Sequence, residues 1–190
     1  MLVTKAKVAE TLGASFQKSA DLEGRVGLGG VFHFKCYDKD GNLKWEDSTH
    51  NLVVNQGLKD LNDKYFSGSG YTAAWYLGLV NASPAPSYAA GDTLASHAGW
   101  AETTSYSGNR KAVTFGAATL ADPSVINNSG LPSQFSMTGT VTVAGAFLAS
   151  VDTGSSGILF SVSSFQAPGN RSVVNGDTLS VTYEFSADAA

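Results

Sequence analysis

Cysteine and cationic side chains are both scarce in this chain of 190 residues, and each scarcity excludes something. The single cysteine, Cys36, has no partner for an intrachain disulfide, so nothing indicates an oxidising compartment. Its place in an alternating stretch, residues 31–37, predicts a buried structural thiol rather than a reactive one. Nine of the 12 Lys and Arg residues lie among the first 64 residues. After that point the chain is mostly Gly, Ala, Ser, Thr and Val with interspersed aromatics, which suits packing against other protein.

The charge balance argues against a nucleic-acid partner, and the distribution of apolar residues argues against export and membrane insertion. A net charge of −4 and a pI near 5.2 provide no basic stripe for phosphate, so we expect no nucleic-acid partner. Residues 1–7 lack the apolar core of a signal peptide, and no apolar run reaches the roughly 18 residues of a membrane span. We therefore expect synthesis in a cytosol and no insertion into a membrane.

The chain divides into an N-terminal arm and one domain. Residues 1–28 have mixed charge and end in glycines, and Leu12, Phe16 and Leu22 are too sparse to build a core. We predict an extended arm held by a neighbouring subunit through these three side chains, with a disordered tail as the alternative. Residues 29–190 are long enough for a single domain with its own core.

The domain has the periodicity of a mainly β protein. Residues 31–37 alternate, Asp38–Asn42 contains an Asp-Gly turn, and residues 43–46 follow, which predicts a β-hairpin. A calcium loop is the alternative for the turn, but Gly41 is then at the wrong position. Asn55 is a good N-cap for one short helix ending near Tyr65, with Leu58, Leu61 and Tyr65 on its apolar face.

Short strands with Gly and Pro turns fill the rest of the domain. A nearly all-apolar run, residues 73–80, is typical of a strand covered on both faces. Further strands are predicted over residues 111–117, 134–148 (kinked at its glycines), 157–165 and 179–185. The pattern favours a β-sandwich, jelly-roll-like, with one short helix. Gly-Asp-Thr-Leu occurs at 91–94 and again at 176–179, which indicates two independent turns that lead into strands.

No catalytic, metal or cofactor signature is present. None of the three histidines has a ligand partner at i+2 or i+4, although His97 has carboxylates nearby at Asp92 and Glu102. The Ser/Gly loops lack the spacing of a nucleophile elbow. Paired carboxylates of the glycosidase type stay open, because six side chains could converge: Asp92, Glu102, Asp122, Asp152, Asp177 and Glu184.

The middle of the chain is rich in aromatic side chains. They are Trp75, Tyr76, Tyr88, Trp100 and Tyr106. Core packing is the first interpretation, a protein interface the second and a platform for host glycans the third. We expect Trp100 to be the best interface candidate and Tyr106 to be a second interface residue.

Several segments resemble a set of small structural proteins of tailed bacteriophages. The segments are His50–Leu58, Trp75–Leu79, Gly91–Glu102, Tyr106–Arg110 and Arg171–Tyr183. They lie within residues 30–186 and are patterns of fold rather than catalytic signatures. The N-terminal arm matches no motif of that group.

The resemblance implies a non-enzymatic β-sandwich on the capsid surface of a virion. The expected role is to decorate or cement the shell, with the major capsid protein and copies of itself as partners. Cement proteins bind several symmetry-related neighbours and use arms for reach. A tail, baseplate or fibre module and a carbohydrate-binding module for host glycans are the alternatives, and an enzyme comes last.

Overall fold

The computed structural model describes residues 26–70, 74–166 and 169–189. The predicted arm up to residue 25, with Leu12, Phe16 and Leu22, lies outside the described residues. Residues 26–28, which we had assigned to the arm, belong to the first strand. The strands are β1 (Val26–Tyr37), β2 (Leu43–Val53), β3 (Trp75–Asn81), β4 (Glu102–Thr103), β5 (Lys111–Val113), β6 (Ser124–Asn127), β7 (Ser133–Ser136), β8 (Val141–Ala149), β9 (Leu159–Ser163), β10 (Arg171–Val173) and β11 (Thr178–Ala189), and the helix is α1 (Asn55–Tyr65).

Over the described residues the fold is mainly β with one helix, as the sequence predicts. All described strand pairs are antiparallel, and the main path runs β4-β3-β8-β9-β2-β1-β11-β6. Strand β2 belongs to two layers, because residues 43–50 pair with β1 whereas Asn51–Val53 pair with β9. Side chains from both layers pack into one core, so the arrangement is sandwich-like. The jelly-roll order of strands stays a prediction.

The predicted hairpin is confirmed as β1 and β2. The Asp38 carboxylate accepts the backbone N–H of Asp40 and of Asn42, both at 2.9 Å, and Gly41 adopts φ +84°. The Asn42 side-chain amide also donates to the Asp38 carboxylate, at 3.0 Å. This bond first, and the backbone bonds after it, hold the pKa of Asp38 below its ordinary value. The Asp38 carboxylate thus stabilises the turn that the sequence predicts.

The buried apolar side chains form two clusters. The larger one joins the inner faces of the two layers around Phe32, Phe34 and Tyr183. The smaller one lies on the other face of β3, β8 and β9, beneath the segment that follows β3, and contains Trp100 and Phe147. Residues 77–80 are all buried, which confirms that β3 is covered on both faces.

The helix has the predicted bounds but a different cap and a different face. Val54 is the N-cap and makes no side-chain cap bond, so Asn55 is the first helical residue and not the cap. Gly57 lies on the backbone of Phe160 in β9, where a Cβ would overlap the Phe160 carbonyl oxygen. Tyr65, predicted on the apolar face, is 79% exposed. The close approach at Gly57 sets which face of α1 is buried.

The long strand predicted over residues 134–148 is two strands. The backbone N–H of Met137 donates to Asp177 O and that of Thr138 to Ser105 O, at 2.9 and 3.0 Å. These donors leave the ladder, so β7 ends at Ser136 and β8 begins at Val141.

The repeated Gly-Asp-Thr-Leu stretch forms the same turn twice. In each turn the Asp backbone N–H donates to the carbonyl three residues before it, at 3.0 Å. The Asp carboxylate also accepts that residue's N–H, from Ala89 to Asp92 and from Val174 to Asp177. The two turns lead to Leu94 and Leu179, both buried. Two local turns therefore form as predicted, but only the second leads into a strand, since β11 begins at Thr178 and no described strand begins at residues 91–94.

Candidate binding sites

Trp100 is a core residue, and the prediction that it forms an interface is wrong. Its side chain is 4% exposed and stacks on His97 with centroids 3.9 Å apart. The indole N–H donates to the Asp92 carboxylate at 3.0 Å, and Phe147 packs 5.1 Å from the ring. The chain itself satisfies both the apolar body and the polar tip of the indole, so no surface is left for a partner.

Tyr106 is also inside the domain, and the same correction applies to it. The side chain is 5% exposed, packs edge-on against Phe135 and lies within hydrogen-bond distance of Glu102 (3.3 Å). Burial and the neighbouring Glu102 carboxylate raise the pKa of the Tyr106 hydroxyl. Tyr106 therefore packs in the core beside the ion pair of Glu102 with Arg110.

That ion pair joins Glu102 to Arg110 with fork geometry. Arg110 Nη2 lies 2.7 Å from Glu102 Oε2, and Nε lies 3.0 Å from Oε1. The guanidinium also donates to Val151 O at 3.1 Å and lies over the Phe147 ring, 5.1 Å from its centroid. The Arg110 side chain is only 8% exposed, so the pair is a structural element of the interior.

The six carboxylates that we considered for acid–base work have different partners. Asp92 binds Trp100, Glu102 binds Arg110 and Asp177 binds Lys44. The remaining three accept from other groups: Asp122 from Ala189 N, Asp152 from Asn109 and Glu184 from Asn127. Among the described hydrogen bonds and ion pairs, none joins two of these carboxylates or joins one to His97. His97 Nδ1 is within hydrogen-bond distance of Trp100 O instead (3.1 Å).

Cys36 is buried, as predicted, beside the Asp177–Lys44 ion pair. The thiol donates to Asp177 Oδ2 at 3.7 Å, and Lys44 Nζ lies 2.5 Å from the same oxygen. Burial, followed by the Asp177 charge, raises the pKa of the thiol to about 12. The thiolate needed for nucleophilic chemistry is therefore strongly disfavoured at neutral pH.

One cavity, of about 540 Å³, lies between α1 and the sheets and is called the aromatic cleft below. Its lining comprises Asp60, Leu61, Lys64, Trp75, Val113, Thr114, Phe115, Ile126, Leu148, Phe160, Tyr183 and Phe185. Trp75 packs edge-on against Phe160 with centroids 5.4 Å apart, and Phe160 packs similarly against Phe185. An ion pair of Asp60 with Lys64, 3.8 Å apart, lies at the helix side. Trp75 is half-buried here, between the core and the cleft.

A second cavity, of about 850 Å³, lies beside the first residues of β1 and is called the edge groove below. It forms because β2 leaves β1 after His50. His50 pairs with Val31 and is the last residue of β2 that pairs with β1. Among the described residues, Val26–Gly30 pair only with Phe185–Ala189 of β11. Val26, Leu28, Leu52, Val53 and Leu58 give the groove an apolar lining.

Comparisons with protein-family models, with curated proteins and with solved structures found no match to this chain. In the described part of the chain, no helix has the length and apolar character needed to cross a membrane. The aromatic cleft and the edge groove are the candidate binding sites in the described part of the chain.

The two cavities differ in how far local sequence patterns predict them. Trp75 was in the predicted aromatic set, but its place in a cleft depends on α1 packing across the sheets. The edge groove follows from the departure of β2, which no local pattern announces. Leu52 and Val53 in its lining belong to a short apolar run, residues 52–54, that begins only after the residues paired with β1.

Proposed function

We propose that this chain is a non-enzymatic structural protein of a tailed-phage virion, which decorates the capsid and bridges neighbouring major capsid subunits. The observation that carries the proposal is the position of Val26. The 25 residues before it join the sandwich at a stretch of β1 that has no second strand beside it among the described residues, next to an apolar groove. Such an extension can link a compact knob to neighbouring subunits, and linked contacts raise overall affinity through effective concentration.

Two further features support an assembly role. The charged groups at the centre of the domain are used internally, in the pairs Glu102–Arg110, Asp177–Lys44 and Asp47–Arg171. The outer residues of the later strands are instead mostly Ser, Thr and Ala, which are easily desolvated against another protein. The virion placement itself is supported by the resemblance of the segments within residues 30–186.

Deleting residues 1–25 should leave the sandwich folded and abolish attachment to particles. The deletion stops before β1, so the register from Val26 to Ala189 is retained. We expect the thermal midpoint to stay within a few degrees, and binding to capsids stripped of this protein to fall below detection in a co-sedimentation assay. A truncated protein that still saturates the capsids would contradict the anchoring role.

The copy number per particle tests the location. Quantitative mass spectrometry of purified virions against the major capsid protein should give a ratio near one, or a simple fraction of it. A few to a few dozen copies would instead place the protein in the tail, as a tube, baseplate or fibre module.

A carbohydrate-binding module is the second candidate, and the half-buried Trp75 in the aromatic cleft favours it. An indole in a cleft beside a carboxylate and an ammonium group offers both a stacking face and hydrogen-bonding groups to a sugar. Here Asp60 and Lys64 supply those charges. Because Trp75 also packs on Phe160, it has a competing structural role.

Replacing Trp75 with Ala distinguishes the two roles of this side chain. Removing a large, half-buried aromatic from the core wall should lower the free energy of unfolding by about 2–3 kcal/mol. Urea unfolding of the variant measures this loss, and Tyr65→Ala, at an exposed aromatic, is the matched control with little expected change. Unchanged stability in Trp75→Ala, together with lost retention on a glycan array, would favour the carbohydrate module.

A further inference from the structure

We infer that the edge groove is the binding site for an extended strand, and that its occupant is the N-terminal segment of a second copy of this chain. The added strand would lie along the open side of Val26–Gly30 and place alternate apolar side chains against the groove. The inference goes beyond the proposed function and does not depend on where the protein resides.

The groove has both parts of a strand-addition site. The first part is an unpaired edge: among the described residues, Val26–Gly30 have β11 on one side and no strand on the other. An open edge supplies backbone donors and acceptors to an incoming strand, whatever its sequence. The second part is an apolar wall formed by Leu28, Leu52 and Leu58. A wall of this kind selects strands with apolar side chains on one face.

The exposed groove residues provide apolar surface that an added strand would bury. Val26 is 66% exposed and Leu52 is 37% exposed, whereas Phe32 and Phe34, further along the same face of β1, are 0% and 1% exposed. The same face of one strand therefore passes from a closed core to an uncovered apolar end. A strand added beside residues 26–30 would continue the sheet and bury that end.

The N-terminal segment has the pattern that the groove requires. From Leu12 to Leu22 the even positions are Leu, Ala, Phe, Lys, Ala and Leu. The odd positions from Thr11 to Asp21 are Thr, Gly, Ser, Gln, Ser and Asp. Apart from Lys18, this alternation is typical of a strand with one apolar and one polar face. Leu12, Phe16 and Leu22, which alone are too sparse for a core, thus fall on one face.

Length and starting point favour a second copy over the same chain. Twenty-five residues can span up to about 80 Å, enough to reach a neighbouring domain. Within one chain, a strand antiparallel to Val26–Gly30 requires a reversal in the three residues between Leu22 and Val26. The five unpaired residues Val26–Gly30 would then pair only with the end of the alternating segment. Phe16 would lie beyond them. A segment from a second copy enters without that reversal, and mutual exchange closes a symmetric dimer.

The test is the association of the purified full-length chain, measured without particles by sedimentation equilibrium. We expect a concentration-dependent dimer. The segment variant Phe16→Ser and the groove variant Val26→Asp should each weaken it roughly tenfold or more, since each removes one apolar contact of the added strand. Ser15→Asn, on the polar face of the segment, and Leu131→Asp, at a side chain 64% exposed and outside the groove lining, are the controls and should dimerise like the parent chain.

Mixing the two variants gives the decisive result. Phe16→Ser retains an intact groove and Val26→Asp retains an intact segment, so together they should form a heterodimer with one segment in one groove. Circular dichroism checks folding, and Leu52→Asp is the second groove variant if Val26→Asp does not fold.

Three outcomes would overturn the inference. A parent chain that is monomeric at every concentration means that no second copy fills the groove. A dimer that survives both variants uses another surface, and variants that fail to combine do not exchange segments. Because particles are absent, each outcome is independent of whether the protein decorates a capsid.

Discussion

Replacing Arg110 with Met is expected to lower the free energy of unfolding by about 3–5 kcal/mol, because it leaves the Glu102 carboxylate without its ion-pair partner. Glu102 is only 20% exposed at the side chain, so water replaces the guanidinium poorly. The change also removes the donor to Val151 O and the cation over the Phe147 ring. Chemical denaturation in urea, with an unchanged m-value, measures the loss.

A matched control separates burial from charge. Lys35 and Glu46 form an ion pair at 3.9 Å with both side chains more than half exposed, so Lys35→Met should cost less than about 1 kcal/mol. Adding Glu102→Gln to Arg110→Met should recover part of the stability, since the buried charge is gone. Equal losses in Arg110→Met and Lys35→Met would refute the structural role of the interior pair.

Replacing Gly145 with Ala should destabilise the domain by about 3 kcal/mol. A Cβ at this position of β8 would overlap the carbonyl oxygen of Ser163 and lie 2.7 Å from its carbonyl carbon. Backbone atoms cannot move aside as a flexible side chain does, so β8 and β9 would have to separate and strain their packing. The shift of the urea midpoint gives the magnitude.

Gly130 provides the comparison for this change. A Cβ there meets no atom within 4 Å, and its backbone does not require glycine. Gly130→Ala should therefore change the free energy of unfolding by no more than about 0.5 kcal/mol. A Gly145→Ala variant as stable as Gly130→Ala would show that the two strands do not approach as closely as described.

The fold could be predicted wherever local chemistry decides it. The Asp-Gly turn with alternation on both sides defines β1 and β2, and a continuous apolar run defines β3. Prediction failed where distant groups compete for the backbone. Strand β7 ends at Ser136 because Met137 donates to Asp177, a partner far along the chain. The prediction of Asn55 as the cap failed because the first helical bond runs from the Leu58 N–H to Val54 O, and the Val54 N–H itself donates to Phe160 O in β9.

The same distinction applies to the candidate sites. Composition correctly indicated an aromatic middle, yet Trp100 and Tyr106 could not be assigned, because their burial depends on Asp92, Glu102 and Phe147. The edge groove depends on the point at which β2 changes partners, which is a property of the sheet and not of any segment.

The hairpin turn and the N-terminal segment lie at opposite ends of β1, and this has a practical consequence for displaying foreign peptides. Twelve residues of strand place the turn at Asp38–Asn42 about 36 Å from Val26. The C-terminal strand brings Ala189 opposite Val26, so a fusion at that terminus would emerge at the end where the segment attaches. An epitope inserted between Asp40 and Gly41 would instead lie at the far end of β1, at an exposed loop tip suited to antibody access.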